Sequence, residues 1–298
     1  MEKNLELGPQ GKYAQLTLDF PFKKAFATEG EEELLIAMLN AFLEKKLSHP
    51  ITEVVIQNPY IQGQTRFNRD AVLDIRCRDS MGNRFIVEMQ TGRQRYFIKR
   101  SVYYSSMAIS DSGQKGGDWN FNFPNVYSLN FLDYDIDFGE GNDDVVQYIS
   151  PSNEKYPRIR YDYENLIFVR LTEFKKSLSE CESFSEKLLY SLRHAHELDG
   201  KPEQFSGKLF DRLFEIAEIA NFTPEEVLDY EASRMRRWDE YAIKEFAREE
   251  GVEEGIEIGV EKGIAIGDER VEQERSYFRE LLKQGLSHEE LLRRLDER

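Results

Sequence analysis

Cysteine is scarce in this chain. Cys77 and Cys181 are the only two and stand far apart without metal-ligand spacing, so neither a disulfide framework nor a zinc site is indicated. Histidine is nearly as rare: His49, His194, His196 and His288 form no known motif, and His194 and His196, two apart, point to different faces of a helix. No apolar run approaches the length of a membrane span. The opening MEKNLELGPQGKY is polar and mixed in charge, without the apolar stretch of a secretory signal, which leaves a cytoplasmic location as the expectation. Positive charge is also short. With 40 Lys and Arg against 56 Asp and Glu, the net charge of −16 argues against a polyanionic partner if it is spread evenly.

It is not spread evenly. From residue 62 to 100, nine bases (Arg66, Arg69, Arg76, Arg78, Arg84, Arg93, Arg95, Lys99, Arg100) stand against four acids (Asp70, Asp74, Asp79, Glu88). Residues 239–298 hold eighteen acids and ten bases, half of the net negative charge. A basic stretch beside paired carboxylates suits a phosphate-handling site, although charged runs on exposed faces usually serve only solubility.

Within that stretch, VLDIRCRDSMGNRFIVEMQ (72–90) reads as a β-hairpin. Ser80, Met81 and Gly82 fit a three-residue loop, with Gly82 in the left-handed conformation that glycine adopts at least cost. Asp79 then pairs with Asn83, and counting outward sets Asp74 opposite Glu88 and Val72 opposite Gln90. Opposed residues share a face, as do residues two apart, so Asp74, Glu88 and Gln90 converge. On the other face Leu73, Ile75 and Cys77 meet Phe85, Val87 and Met89, an apolar set that resists a one-residue slip. Polar side chains on a strand face are most often simply solvated. Here Val72 and Ile86 lie on the same face, so it is expected to be partly covered, and two like charges there repel unless a cation sits between them. Magnesium meets that need through oxygen ligands.

The chain resembles the PD-(D/E)XK nuclease superfamily, and within it the group described as PD-(D/E)XK nuclease family transposases, or recombination-promoting nucleases. The resemblance rests on an ordered set of phrases across about residues 13–175: LDFPFKKAF, ELLIAMLNAFL, ITEVVIQNPY, RDAVLDIRCRDSMGNRFIVEMQ, QRYFIKRSVYYSS and the GGDWNF to NVYSLNFLDYDI region. It implies an α/β fold with a restriction-endonuclease-like core, a mixed sheet flanked by helices, followed by a C-terminal helical extension. The family's two acids fall on Asp74 and Glu88, and the usual lysine falls on Gln90, a departure from the superfamily consensus that this group commonly shares and that removes a positive charge from the site. Lys99 or Arg100 in the next helix is a candidate to restore it. The resemblance further implies magnesium, with manganese as a substitute, held by Asp74, Glu88 and the backbone carbonyl of Met89, with Gln90 orienting a water. Glu33 is the candidate for a further polar group from the first helix, although a glutamate there also suits the helix dipole alone. Asp19 and Lys23 match family positions, and Asp19 equally suits a helix N-cap before Pro21.

Apolar spacing in ELLIAMLNAFLEKKL (33–47) predicts a helix, ITEVVIQN (51–58) a short strand, and RYFIKRSVYYSSMAIS (95–110) an aromatic-rich helix whose rings pack on the sheet rather than stack on bases. VYSLNFL (126–132) and LIFVRL (166–171) read as buried strands, and 133–165 as an irregular excursion or additional hairpin. The organisation expected is a nuclease-like domain over 13–175, a helical region over 176–250 and a tail over 251–298. Thr223 and Pro224 mark a strong helix start, and SHEELLRRL a short capped helix from Ser287. In the tail Gly251, Gly255, Gly259, Gly263 and Gly267 recur every fourth residue beside Val252, Ile256, Val260 and Ile264. Each glycine costs a helix up to about 1 kcal/mol relative to alanine. The stripe therefore reads either as a close-packing surface, between two copies or folded back on the same chain, or as a frayed acidic helix.

The expectation is a magnesium-dependent DNA endonuclease. Its rivals are an RNA nuclease using the same site, and a catalytically silent nucleic-acid-binding or assembly protein with a degenerate site at Gln90.

Overall fold

The computed structural model describes residues 11–61, 70–113, 120–139 and 142–296. Arg66 and Arg69 of the basic stretch and residues 116–119 of the GGDWNF phrase lie outside the described residues. The elements are α1 (Asp19–Phe26), α2 (Glu33–Leu43), β1 (Val54–Ile56), β2 (Tyr60–Ile61), β3 (Ala71–Val72), β4 (Ile75–Asp79), β5 (Arg84–Gln90), α3 (Phe97–Ser110), β6 (Val126–Leu132), β7 (Val146–Ile149), β8 (Glu164–Arg170), α4 (Phe184–His194), α5 (Lys208–Ala217), α6 (Pro224–Lys283) and α7 (His288–Asp296). Six strands form one mixed sheet in the order β1-β4-β5-β6-β8-β7, with β2 and β3 in a separate ribbon. The central β5, β6 and β8 run parallel, while β1, β4 and β7 are antiparallel to their neighbours. This is the α/β architecture with helices on both faces of a mixed sheet.

The centre of the sheet is buried on both sides, and the sequence of β6 says why. VYSLNFL has no charged residue, and all of it is buried, as a parallel strand covered by helices on both faces requires. Phe85, Val87, Met89, Leu129, Phe131, Ile167 and Val169 face one large core shared with α1, α2, α4 and α5. Phe42 meets Phe131 edge to face, with ring centroids 5.2 Å apart. Ile86, Val126, Leu132 and Phe168 face the opposite layer, where α3 lies. That helix turns Phe97, Ser101, Ser105 and Ala108 inward. The three small residues let its backbone come close to the sheet.

The stretch from 176 does not stand apart from the strands. Leu188 and Leu192 of α4 and Phe210, Leu213 and Phe214 of α5 complete the same core, and one compact unit extends as far as Trp238. The apolar face of the β-sheet is wider than α1 and α2 can cover, so the boundary expected at 175 falls inside the packed domain. The 133–165 segment supplies β7, which pairs antiparallel with β8 at the sheet edge.

Residues Asp239–Arg298 form a second unit, made of the remainder of α6 and of α7. Thr223 begins α6 with a capping box: its Oγ1 accepts from Glu226 N–H (3.2 Å), and Glu226 Oε2 accepts from Thr223 N–H (2.9 Å). Ser287 Oγ accepts from Glu290 N–H at the start of α7 (3.4 Å). The helix runs unbroken through all five tail glycines, and nothing lies within 4 Å of the place a Cβ would take at any of them. Among the described residues no helix is long and apolar enough to cross a membrane.

Candidate active site

The β4–β5 turn follows from its sequence. Asp79 Oδ1 accepts from the N–H groups of Met81 (3.0 Å) and Asn83 (2.8 Å), and Gly82 takes a φ of 89°. These contacts fix the loop and therefore the register: Ile75 pairs with Val87, Arg76 with Ile86, Cys77 with Phe85 and Arg78 with Arg84. That is the pairing counted outward from Gly82. It stops one residue short of Asp74.

At Asp74 the chain turns away from β5. Val72 pairs with Tyr60, and Leu73 N–H donates to the Pro59 carbonyl (3.1 Å). Two expectations therefore fail. Val72 does not face Gln90 and is exposed, and Leu73 does not join Ile75 and Cys77 but packs with Ile86, Ala108 and Val126 under α3. Strict alternation holds only along an unbroken strand, and the bend at Asp74 breaks it. Side chains replace the missing ladder bonds: Asp74 N–H donates to Glu88 Oε1 (3.3 Å), and Met89 N–H donates to Asp74 Oδ2 (2.8 Å). Gln90 Nε2 donates to Glu88 Oε2 (3.0 Å). The structure thus brings Asp74, Glu88 and Gln90 together.

Burial gives this cluster its electrostatics. The Glu88 carboxyl is pushed up to about 8, first by burial and then by the charge of Asp74, against the opposing pull of Arg100. Asp74 is raised as well, by burial, with the Met89 N–H and Lys23 working against the rise. Lys23 Nζ of α1 lies 3.6 Å from Asp74 Oδ1 and 2.6 Å from Asp19 Oδ1. Burial works against its charge, yet Asp19 and Asp74 together hold its pKa above the usual lysine value. On the other flank Arg100 Nη2 is 3.9 Å from Glu88 Oε2. Arg100 also donates to Gln94 Oε1, and Gln94 Nε2 donates to Gln90 Oε1 (3.2 Å).

The first turns of α6 brace this arrangement. Arg236 Nη2 lies 3.4 Å from Asp19 Oδ2. Arg237 donates to the Thr91 carbonyl, directly after Gln90, and its Nη2 is 3.9 Å from Asp133 Oδ2. Burial raises the Asp133 carboxyl, with Arg237 opposing.

Other expected residues fall elsewhere. Glu33 faces α5, where its Oε1 is 2.8 Å from Lys208 Nζ, and its side chain is 63 % exposed. The early acid near the pair is instead Asp19, reached through Lys23. Asp19 is the first residue of α1 and not its cap, a position taken by Leu18 without a side-chain bond. Lys99 lies over the Tyr96 ring (5.6 Å), so of the two cations expected from α3 it is Arg100 that reaches Glu88. Met89 turns its side chain into the core. Gln94, Arg236 and Arg237 carry no local signal in the sequence, whereas Lys23 is marked, with Asp19, by its match to a family position, and the two stand one helical turn apart.

Among the described residues no group of three or more His, Cys, Asp or Glu side chains gathers to hold a metal ion. The donor set that is present still suits a hard divalent cation. It offers a buried carboxylate, Glu88, pushed up to about 8 by burial and then by the charge of the half-buried Asp74, and a cation shared between the two offsets that repulsion.

A profile of the family described as PD-(D/E)XK nuclease family transposase matches residues 16–247. Comparison with curated proteins and with solved structures gives no match.

Proposed function

The chain belongs to the PD-(D/E)XK nuclease family transposases, and from that membership we propose that it is a divalent-metal-dependent DNA endonuclease linked to mobile elements. The observation that carries this reading is the Asp74–Glu88 pair, a half-buried and a buried carboxylate held together by the N–H groups of Asp74 and Met89. Asp74 and Glu88, with the Met89 carbonyl, are the groups that would hold magnesium or, in its place, manganese. When bound, such an ion lowers the pKa of a water and neutralises charge on a phosphate oxygen.

The protein's own residues supply the rest. Gln90, fixed between Glu88 and Gln94, orients a water beside the pair. Lys23 replaces the positive charge missing at residue 90 and stabilises the developing negative charge on phosphate, a task Arg100 shares from the opposite side. Asp19 and Arg236 position Lys23.

The test is nicking of supercoiled plasmid by the purified protein in magnesium against chelator. Cutting that requires the metal and disappears in a folded Asp74→Ala variant supports the reading. Cutting that survives Asp74→Ala rejects it. A second reading, a catalytically silent nucleic-acid-binding protein, is favoured by one observation, the neutral Gln90 where the superfamily has lysine. Metal-independent retention on DNA with no nicking selects it.

For the tail we infer self-association. Val252, Ile256, Val260 and Ile264 are exposed beside open glycines, and a second copy of this helix can bury both rows.

A further inference from the structure

One face of α3 is built differently from the rest of the surface. Tyr96, Lys99, Arg100 and Tyr103 follow the spacing of a single helical face, while Phe97, Ser101, Ser105 and Ala108 on the opposite side are buried. With Arg95 and Asp70 they line a cleft of about 600 Å³. The aromatic rings were expected to pack on the sheet, yet Tyr96 is 60 % exposed and Tyr103 38 % exposed. The inward positions are taken by Phe97, two serines and an alanine, so Tyr96 and Tyr103 are left on the outer side.

Cations frame these rings. Arg95 Cζ lies 5.4 Å and Lys99 Nζ 5.6 Å from the centre of the Tyr96 ring. Among the described residues three bases share the cleft with a single carboxylate, Asp70, which accepts from the Tyr60 hydroxyl at 2.5 Å. Arg100, one of the walls of this cleft, also lies 3.9 Å from Glu88 Oε2, so the cleft and the acid pair share a side chain. Cations call for a polyanion. Exposed tyrosines among them call for a polyanion that also presents flat π faces.

Duplex DNA meets only the first requirement, since its base faces are covered by their neighbours. An unpaired strand meets both. Seven residues separate Tyr96 from Tyr103, about 10 Å along a helix. That distance spans about three nucleotides of a stacked strand at about 3.4 Å each.

We propose that this face of α3 binds an unpaired stretch of DNA and leads it to Asp74 and Glu88, so that the preferred substrate is single-stranded, gapped or bubbled DNA. The proposal rests on the nuclease reading given above and adds the substrate form. Tyr96 and Tyr103 stack on bases, and Arg95 and Lys99 take phosphates.

The test uses the full chain in two measurements. In chelator, fluorescence anisotropy compares a labelled single-stranded DNA oligomer, its duplex and the matching RNA strand. Wild type is expected to bind the single DNA strand at least about tenfold more tightly than the duplex. Tyr96→Ala and Tyr103→Ala each lower that affinity about tenfold and leave duplex binding unchanged, while Tyr96→Phe retains it. Lys99→Gln weakens both forms and flattens the salt dependence. Tyr96 is largely exposed, so its variants fold, and a thermal melt verifies this. In magnesium, wild type is expected to cut the single strand or a bubble faster than the duplex. Equal affinity for the two DNA forms, no effect of Tyr96→Ala, or tighter binding of the RNA strand overturns the proposal. Equal cutting of all DNA forms overturns it too while leaving the nuclease reading in place. Absence of any cutting, with the tyrosine-dependent preference intact, overturns the nuclease reading and with it the substrate assignment, and leaves only the single-strand binding face.

Discussion

Lys23 Nζ lies 3.6 Å from Asp74 Oδ1, so among the described residues the cation paired with the first acid comes from α1 and not from the strand that carries Glu88 and Gln90. A superfamily that usually places lysine two residues after its second acid has here a neutral amide at that point and an ammonium beside the first acid. The charge is present near the pair and arrives from a different element.

Lys23→Gln is therefore expected to lower the nicking rate about 100-fold or more, as loss of an electrostatic stabiliser does. Lys23→Arg should recover part of the loss. Initial rates on supercoiled plasmid at saturating magnesium check this, and an unchanged rate in Lys23→Gln would reduce the residue to a structural partner of Asp19.

Glu33→Ala should leave nicking within about twofold of wild type and stability within about 1 kcal/mol, because its partner Lys208 is a surface cation. A large loss of activity with normal folding would return Glu33 to the site.

Glu88 makes stability depend on pH in a defined direction. Its folded pKa, about 8, lies above the ordinary value of 4.5, so between these limits the folded state holds a proton that the unfolded state releases. In metal-free buffer stability is then greatest at the acidic end of that window and falls as pH rises toward 8. Glu88→Gln should flatten the slope and raise the Tm at pH 8, as followed by thermal melts in chelator. Magnesium at about 100 times its Kd should stabilise wild type by about 2.7 kcal/mol and leave Asp74→Ala unmoved.

Arg100 pulls the Glu88 pKa down. Arg100→Gln should consequently raise it and move the acid limb of the pH–rate profile to higher pH. A profile that only drops in height, with its limb in place, would limit Arg100 to contact with substrate.

The tail offers a test of opposite signs. In an isolated helix, replacing Gly255, Gly259 and Gly263 by alanine adds up to about 1 kcal/mol of helix stability each. If two copies approach through these glycines, the same change lowers the mass measured by light scattering, as does truncation after Glu250. Unchanged mass in both variants removes the proposed self-association.

Much of the site's frame was legible in the sequence because it is local. Asp79, Gly82 and Asn83 define a turn, the turn defines a register, and the register brings residues 74 and 88 together. What misled the count was also local. Extending strict alternation past Ile75 put Leu73 on the wrong face and Val72 opposite Gln90, whereas the β2–β3 ribbon draws the chain aside. Periodicity in α3 located the helix but not which side faces the sheet. Small Ser101 and Ser105 took the inner side, where close approach matters more than apolar area.

By itself, then, the sequence determined the β4–β5 turn and its pairing, the buried strands at 126–132 and 166–171, and the helix starts at Thr223 and Ser287, since each depends on neighbours a few residues away. The three-dimensional packing alone decided that Lys23 of α1 lies beside Asp74, that Arg236 and Arg237 brace the site, that Glu33 lies elsewhere and that α4 and α5 belong to the central core. Those outcomes depend on which distant surfaces bury one another. That choice follows from the area and shape of whole faces, which no short stretch of residues encodes.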